Sequence, residues 1–169
     1  AGGYFDSDYN PADVTDAINV SRDNYTAFGW STKLADHSLG TSNFQLWNRL
    51  GSTSFYLRSF DTDYRLTAIA NNAAITAVAV DGILAVNELF ALRRNSSTSA
   101  DITKGTTVVK ASATASSAWS GAGESSNVRV METAAAINVS GGIGIWGMGG
   151  YLDTTKLAAL KTAIQNYTS

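Results

Sequence analysis

Two turn-forming pairs divide the long apolar stretch between Tyr64 and Leu92. Asp81-Gly82 separates the run ITAVAV from ILAVNEL, and Asn71-Asn72 separates LTAIA from AAITAV. A type I′ hairpin turn requires positive φ angles, which Asp, Asn and Gly tolerate better than most residues. β-Branched residues are frequent on both sides of the two pairs. The pattern therefore predicts an antiparallel meander of three strands.

One buried helix from about Leu66 to Leu92 is the alternative reading of this stretch. Alanine-rich apolar runs fit the period of a helix as well as that of a strand, and the length alone favours a helix. The two turn pairs and the β-branched residues favour the meander.

Size and composition limit the chemistry that the chain can perform. A chain of 169 residues is long enough for one domain with a substantial core, so we expect a single domain over residues 1–169. The absence of cysteine excludes disulfides, thiol nucleophiles and thiolate metal sites, and the single histidine makes a histidine zinc site improbable. No cofactor is expected from this inventory, apart from the calcium ion considered below.

The chain carries little charge. Charged residues make up 15% of the sequence, against about a quarter in an average protein. The formal net charge is −2, and Arg93-Arg94 is the only adjacent basic pair, so no attraction to nucleic acid is expected. No apolar run reaches the roughly 18 residues of a membrane span. A weakly charged surface suits a protein that is extracellular or packed against copies of itself.

Further segments show clear periodicity. Residues 54–60 alternate as a strand, and extended segments are expected at 25–30, 43–50 and 106–114. The polar segment from Asn95 to Gly105 reads as an exposed loop. A short helix is expected from Pro11 to Val20. A C-terminal amphipathic helix follows Asp153, and its apolar face is formed by Leu157, Leu160, Ile164 and Tyr167.

These elements together define the expected fold class. It is α+β, dominated by an antiparallel β sandwich or barrel of about six to nine strands, with the N-terminal and C-terminal helices packed on it.

Asp6, Asp8 and Asn10 match the first three ligand positions of a calcium loop. The match ends at the sixth position, where Pro11 replaces glycine, and at the twelfth, where Ala17 replaces glutamate. An Asp/Asn-rich turn without a metal is the alternative reading.

The signals for catalysis are weak. Asp36, His37 and Ser38 are adjacent in sequence, whereas a catalytic triad is assembled in space. The segment 123–127 lacks the second glycine of a nucleophile elbow. Glu88 and Glu132 are the most natural carboxylate pair for a glycoside hydrolase, provided that their strands are neighbours.

Binding surfaces are better represented than catalytic groups. Trp119 lies among Ser, Ala and Gly, which favours an exposed ring that stacks on a sugar or lies at an interface. Gly144, Trp146 and Gly147 lie in a glycine-dense strand that another subunit could approach closely. Asn24, Asn95, Asn138 and Asn166 begin N-x-S/T sequons, which matter only on a eukaryotic secretory route.

The sequence favours a non-enzymatic structural protein of a repeating extracellular or virion assembly, with copies of itself as partners. A secreted module that binds cell-surface or host glycans is the first alternative. A carboxylate-dependent glycoside hydrolase is the second.

Overall fold

The computed structural model describes residues 5–7, 20–33, 44–49, 55–60, 65–71, 73–76, 85–117, 128–130 and 142–169. These residues form eleven strands and one helix, and all strand pairs are antiparallel. The prediction of a mainly antiparallel β-structure with a C-terminal helix is confirmed. The predicted helix at Pro11 to Val20 lies outside the described residues, apart from Val20.

The first sheet has six strands in the order β1-β10-β3-β4-β5-β6. Their bounds in this order are Phe5–Asp6, Val128–Val130, Phe44–Arg49, Phe55–Phe60, Arg65–Ala70 and Ala73–Thr76. The expected strands at 43–50 and 54–60 are thus confirmed over their described residues, and the structure shows that they are neighbours in one sheet.

The second sheet has five strands in the order β11-β2-β7-β8-β9. Their bounds in this order are Gly142–Gly149, Tyr25–Lys33, Glu88–Ser96, Ser99–Lys104 and Thr107–Ser112. The helix, α1, covers Thr154–Thr168 and packs on this sheet.

One apolar cluster, here called the inter-sheet cluster, contains buried residues of both sheets. Its members are Val20, Tyr25, Ala27, Leu57, Leu66, Ala68, Ala70, Phe90, Leu92, Ala100, Ile102 and Val128. Successive residues of a strand point to opposite faces, so Phe90 and Leu92 join this cluster while Leu89 and Ala91 contact α1. The apolar run of β7 is therefore continuous because both of its faces are buried.

Helix α1 begins at a capped N-terminus. The Asp153 carboxylate accepts a hydrogen bond of 2.9 Å from the Lys156 N–H. Leu157 and Ile164 are buried, and Leu160 is half-buried. Tyr167 is 83% exposed, so its predicted place on the apolar face is wrong. Leu160 already lies at the margin of that face, and a step of seven residues rotates the helix about 20° further.

Arg93 fixes the segment that leads into α1. Its guanidinium binds both carboxylate oxygens of Asp101, at 2.7 and 3.0 Å, and donates to the Leu152 carbonyl at 2.9 Å. The same group lies 5.3 Å from the centre of the Tyr151 ring. The Leu152 N–H donates to the Thr26 hydroxyl at 2.8 Å, so both ends of this residue are held to the sheet.

The Asn71 turn of the predicted meander is confirmed. Asn71 has a φ of 36° and connects β5 to β6, whose closing pair is Ala70 and Ala73. Its buried side-chain amide donates to the carbonyls of Arg22 at 3.1 Å and Ser117 at 2.8 Å. Asn therefore supplies both the left-handed backbone and the hydrogen bonds that hold the turn.

The third strand of the meander was predicted in the wrong place. Residues 86–87 form a turn, and β7 begins at Glu88 in the second sheet, between β2 and β8. The Asp81-Gly82 turn lies outside the described residues. The alternative of a continuous helix is also wrong, because 65–70 and 73–76 are strands. The apolar pattern identified buried strands but carried no information about which sheet each strand joins.

The segment from Asn95 to Gly105 is not the predicted exposed loop. It contains the end of β7, a turn at residues 97–98, and β8. Ala100 and Ile102 face the inter-sheet cluster, whereas Asp101 faces Arg93. The polar residues of this segment made its alternation hard to recognise in the sequence. With β8 and the two-residue β1, the described strands number eleven, above the predicted six to nine.

The buried Arg94 side chain joins the two sheets. Its guanidinium donates to the Ala70 carbonyl of the first sheet at 2.7 Å. It also donates to the carbonyls of Ser96, Ser97 and Thr114 at 3.2 to 3.4 Å. No carboxylate among the described side chains forms an ion pair with Arg94. Backbone carbonyl dipoles at its two terminal nitrogens therefore compensate much of its charge, while the buried Nε has no hydrogen-bond partner among the described residues.

Tyr25 lies beside Arg94 and is fully buried. Its hydroxyl is 3.4 Å from the Asn71 side-chain oxygen, across the interface between the sheets. Burial raises the pKa of the Tyr25 phenol above its ordinary value, and the Arg94 charge opposes only part of that rise.

We expect Tyr25 to make the protein less stable at alkaline pH. Above about pH 10 the unfolded chain ionises this phenol while the folded chain does not, so the free energy of unfolding falls by about 1.4 kcal/mol per pH unit. Tyr25→Phe removes this dependence and costs about 1 kcal/mol at neutral pH through the lost hydroxyl. Urea unfolding from about pH 9 to pH 11.5 measures both quantities.

The exposed Tyr167 provides the matched control, since Tyr167→Phe leaves the slope with pH unchanged. Equal slopes in Tyr25→Phe and the wild type would contradict the assignment.

Candidate functional site

Strand β11 contains the residues that the sequence predicts at an interface between subunits. Gly144, Trp146 and Gly147 lie on this strand, at one edge of the second sheet. One side of β11 pairs with β2 along most of its length. On the other side, the described part of the chain provides no neighbouring strand. The predicted contact residues thus lie on an edge strand.

Side chains of β2 fill the space above two glycines of β11. A Cβ atom on Gly147 would lie 2.5 Å from the Phe28 ring, and one on Gly144 would lie 2.7 Å from the Thr32 methyl group. In the strand register, Phe28 is opposite Gly147 and Trp146 is opposite Gly29. An aromatic residue of β2 thus lies opposite a glycine of β11, and an aromatic residue of β11 lies opposite a glycine of β2. This packing within one chain explains Gly144 and Gly147, and contact with another subunit stays a prediction.

Trp146 contributes to the core as well as to the edge. Its indole packs against the inter-sheet cluster and is half-buried. The indole nitrogen is buried and has no hydrogen-bond partner among the described residues. Trp30 of β2 is 2% exposed and lies in the apolar cluster beneath α1.

An open polar cavity of about 310 Å³ lies where the β8–β9 turn meets α1, and is here called the Lys104 cavity. Its lining consists of Glu88, Lys104, Gly105, Thr106, Thr107, Val109 and Lys161. The Lys161 ammonium is 2.6 Å from a Glu88 carboxylate oxygen. The same oxygen accepts a hydrogen bond of 3.1 Å from the Leu89 N–H. The Glu88 carboxylate is therefore held both by the Lys161 ammonium and by the backbone of the next residue.

All carboxylates among the described side chains take part in contacts within the chain. Asp23 binds Arg22 and accepts from the Ser116 hydroxyl, and Asp153 caps α1. Asp101 binds Arg93, and Glu88 binds Lys161. No group of three or more acidic or histidine residues in the described ranges is arranged to hold a metal.

Most of the other predicted site residues fall beyond the described ranges. Asp6 lies on β1 opposite Arg129, while Asp8 and Asn10 are outside, so the calcium prediction stays untested. Trp119 and Glu132 are also outside. The sugar-stacking role of Trp119 and the pairing of Glu88 with Glu132 therefore remain predictions.

The described sequons differ in their surroundings. Asn95 and Asn166 are exposed. The Asn24 side-chain oxygen accepts a hydrogen bond of 2.9 Å from the Tyr151 N–H, so this side chain helps to hold the segment before α1. Asn138 lies outside the described residues.

Sequence reasoning missed the Lys104 cavity. Its residues come from β7, the β8–β9 hairpin and α1, and the sequence predicts a loop instead of β8, the first strand of that hairpin. The local signal for the turn beside this cavity was the glycine at position 105, because glycine favours tight turns. In the structure its φ is 56°. Nothing local could have paired Glu88 with Lys161, because the two residues are distant in sequence.

Neither the family models nor the curated proteins compared with this sequence include a match. Among the described residues, no helix is long and apolar enough to cross a membrane.

We expect two glycines of β11 to respond differently to the same substitution. Gly147→Ala places a methyl group against the Phe28 ring and costs about 1–3 kcal/mol of unfolding free energy through overpacking. Gly149→Ala is the matched control, because no atom lies within 4 Å of the added Cβ. Its effect should stay within about 0.5 kcal/mol. Urea unfolding measures both variants, and equal losses would refute the packing of Phe28 on Gly147.

Proposed function

We propose that the chain is a non-enzymatic structural protein that self-associates in a repeating extracellular or virion assembly. A capsid, decoration, tail, pilus or surface-layer subunit would have this character. We further propose that its two sheets form a sandwich, because residues of both sheets share the inter-sheet cluster. Its partners are copies of the same chain.

The uncharged edge strand β11 carries this proposal. An unpaired strand edge presents free N–H and C=O groups that can pair with another chain. Monomeric proteins commonly protect such an edge with lysine, proline or bulges. The segment from Gly142 to Leu152 contains neither a charged residue nor proline, although irregular pairing occurs at Gly142 to Ile145. The regular part, from Ile145 to Gly149, is suited to pairing or close packing with a second copy.

Other surfaces of the described region are also poor in charge. Strand β9 is exposed along most of its length, and Lys110 is its only charged residue. The exposed face of α1 includes Ala158, Ala159 and Ala163. Packing such surfaces against copies avoids the cost of removing charges from water.

The state of the carboxylates supports a structural rather than a catalytic role. A hydrolase with paired carboxylates needs one group free to attack or to accept a proton and another poised to donate one. Glu88, the described member of the predicted pair, is 2.6 Å from the Lys161 ammonium. The surroundings of Glu88 therefore favour a structural ion pair.

A charge placed on β11 tests the proposal. Gly149→Lys introduces a cation where the added Cβ meets no atom within 4 Å, so the fold accommodates it. We expect wild-type protein to form species much larger than 17.8 kDa. Gly149→Lys should shift the population towards the monomer, by about tenfold or more in association constant, because pairing would bury the charge. Size-exclusion chromatography with light scattering over a range of concentrations measures this change.

Gly149→Ala is the control for size without charge, and it should assemble as the wild type does. A wild-type monomer at all concentrations would contradict the self-association. Assembly that is unaffected by Gly149→Lys would exclude β11 as the contact.

A further inference from the structure

The Lys104 cavity has an excess of one positive charge. Lys161 and Glu88 form an ion pair at 2.6 Å, so their charges compensate each other. Lys104 is half-buried and lines the same cavity, and it has no acidic partner among the described side chains. A lysine ammonium that is partly removed from water favours an anionic partner. The cavity therefore presents one uncompensated cation beside a neutral ion pair.

The cavity walls are held together by a backbone hydrogen bond and are chemically mixed. The Gly105 N–H donates to the Leu89 carbonyl at 2.7 Å, which holds the β8–β9 turn against β7. A Cβ on Gly105 would lie 3.1 Å from the Lys161 nitrogen and 3.2 Å from a Glu88 oxygen, so glycine lets the turn approach the ion pair. Thr106 and Thr107 add hydroxyl groups, and half-buried Val109 adds an apolar surface.

We propose that the Lys104 cavity binds one acidic sugar ring of the uronic acid class. The sugar carboxylate would lie at the Lys104 ammonium. Its hydroxyls would exchange hydrogen bonds with the Thr106 and Thr107 hydroxyls and with the Glu88–Lys161 pair. Val109 would contact the apolar C–H face of the ring. Small-molecule sites have volumes from roughly 300 Å³ upwards, and this cavity of about 310 Å³ is suited to a single ring.

The same features disfavour an inorganic phosphate. Phosphate sites usually combine arginine forks with several free backbone N–H groups. In this cavity the Gly105 N–H is already bonded to Leu89, and no arginine lines the walls in the described region. One lysine with hydroxyls and an apolar wall matches a singly charged, polyhydroxylated ligand better. None of the cavity residues belongs to β11, so a charge on that edge strand and a ligand in the cavity can be tested separately.

Titration of the ¹⁵N-labelled full chain with sodium D-glucuronate tests the proposal, at a protein concentration where light scattering shows the monomer or, if none exists, in the Gly149→Lys background. We expect saturable shifts of the Gly105, Thr106 and Thr107 amide resonances at millimolar ligand. D-Glucose lacks the carboxylate and sodium acetate lacks the ring, so each should bind at least about tenfold more weakly.

Two lysine variants locate the binding site. Lys104→Ala should weaken glucuronate binding about tenfold or more, because it removes the proposed partner of the carboxylate. Lys110→Ala, on the exposed part of β9, should change the affinity less than about twofold. Both residues are at least partly exposed, so both variants should fold, which the unchanged spectra of α1 would verify.

Three results would overturn the proposal. The first is the absence of saturable shifts at these amides in wild-type protein. The second is equal binding of glucose and glucuronate. The third is an equal loss of affinity in Lys104→Ala and Lys110→Ala, which would indicate a diffuse charge effect. Inorganic phosphate that saturates the same amides more tightly than glucuronate would replace the sugar with a phosphate ligand.

Discussion

The fold depends on the way in which the Arg94 guanidinium is buried between the two sheets. A charge removed from water costs several kcal/mol unless hydrogen bonds satisfy it, and here the compensation comes from carbonyl oxygens of three separate segments. Ala70 belongs to the first sheet, whereas Ser96 ends β7, Ser97 lies in the β7–β8 turn and Thr114 lies in the segment after β9. The cost of burying the charge is offset only when all these segments are in position. Arg94 therefore couples the relative position of the sheets to the conformation of the segments at one end of the second sheet.

Strand β7 carries an arginine on each face of the second sheet, so polar contacts extend from both faces. The neighbouring arginines point in opposite directions because side chains alternate along a strand. Arg94 extends towards the first sheet, while Arg93 binds Asp101 and the Leu152 carbonyl at the start of the helical layer. Asn71 and Tyr25 complete the connection on the inner side. The second sheet is thus joined by polar groups to the first sheet and to the segment before α1, and apolar residues pack between those contacts.

Local signals in the sequence predicted local structure well. The Asn71 turn, the strand at residues 55–60 and the cap at Asp153 each depend on a few adjacent residues, so their chemistry was readable. The place of β7 in the second sheet was not readable, because strand partners are chosen by contacts between distant segments. The β8 strand was missed because Asp101 and Thr103, which look like loop residues, are polar members of a buried strand. The candidate cavity combines both difficulties, since the end of β8, a strand that the sequence predicts as a loop, meets a helix distant in sequence.

Amide hydrogen exchange in Arg94→Lys tests this coupling most directly. Lysine keeps the charge but lacks the planar fork that reaches several carbonyls at once. We expect amides of β5 in the first sheet and of β7 and β8 in the second to lose protection together, by about 1–3 kcal/mol, while Arg22→Lys at the exposed surface changes neither sheet. Loss of protection confined to residues 96–98 and 113–117, with β5 unchanged, would contradict the claim that Arg94 holds the two sheets as one unit.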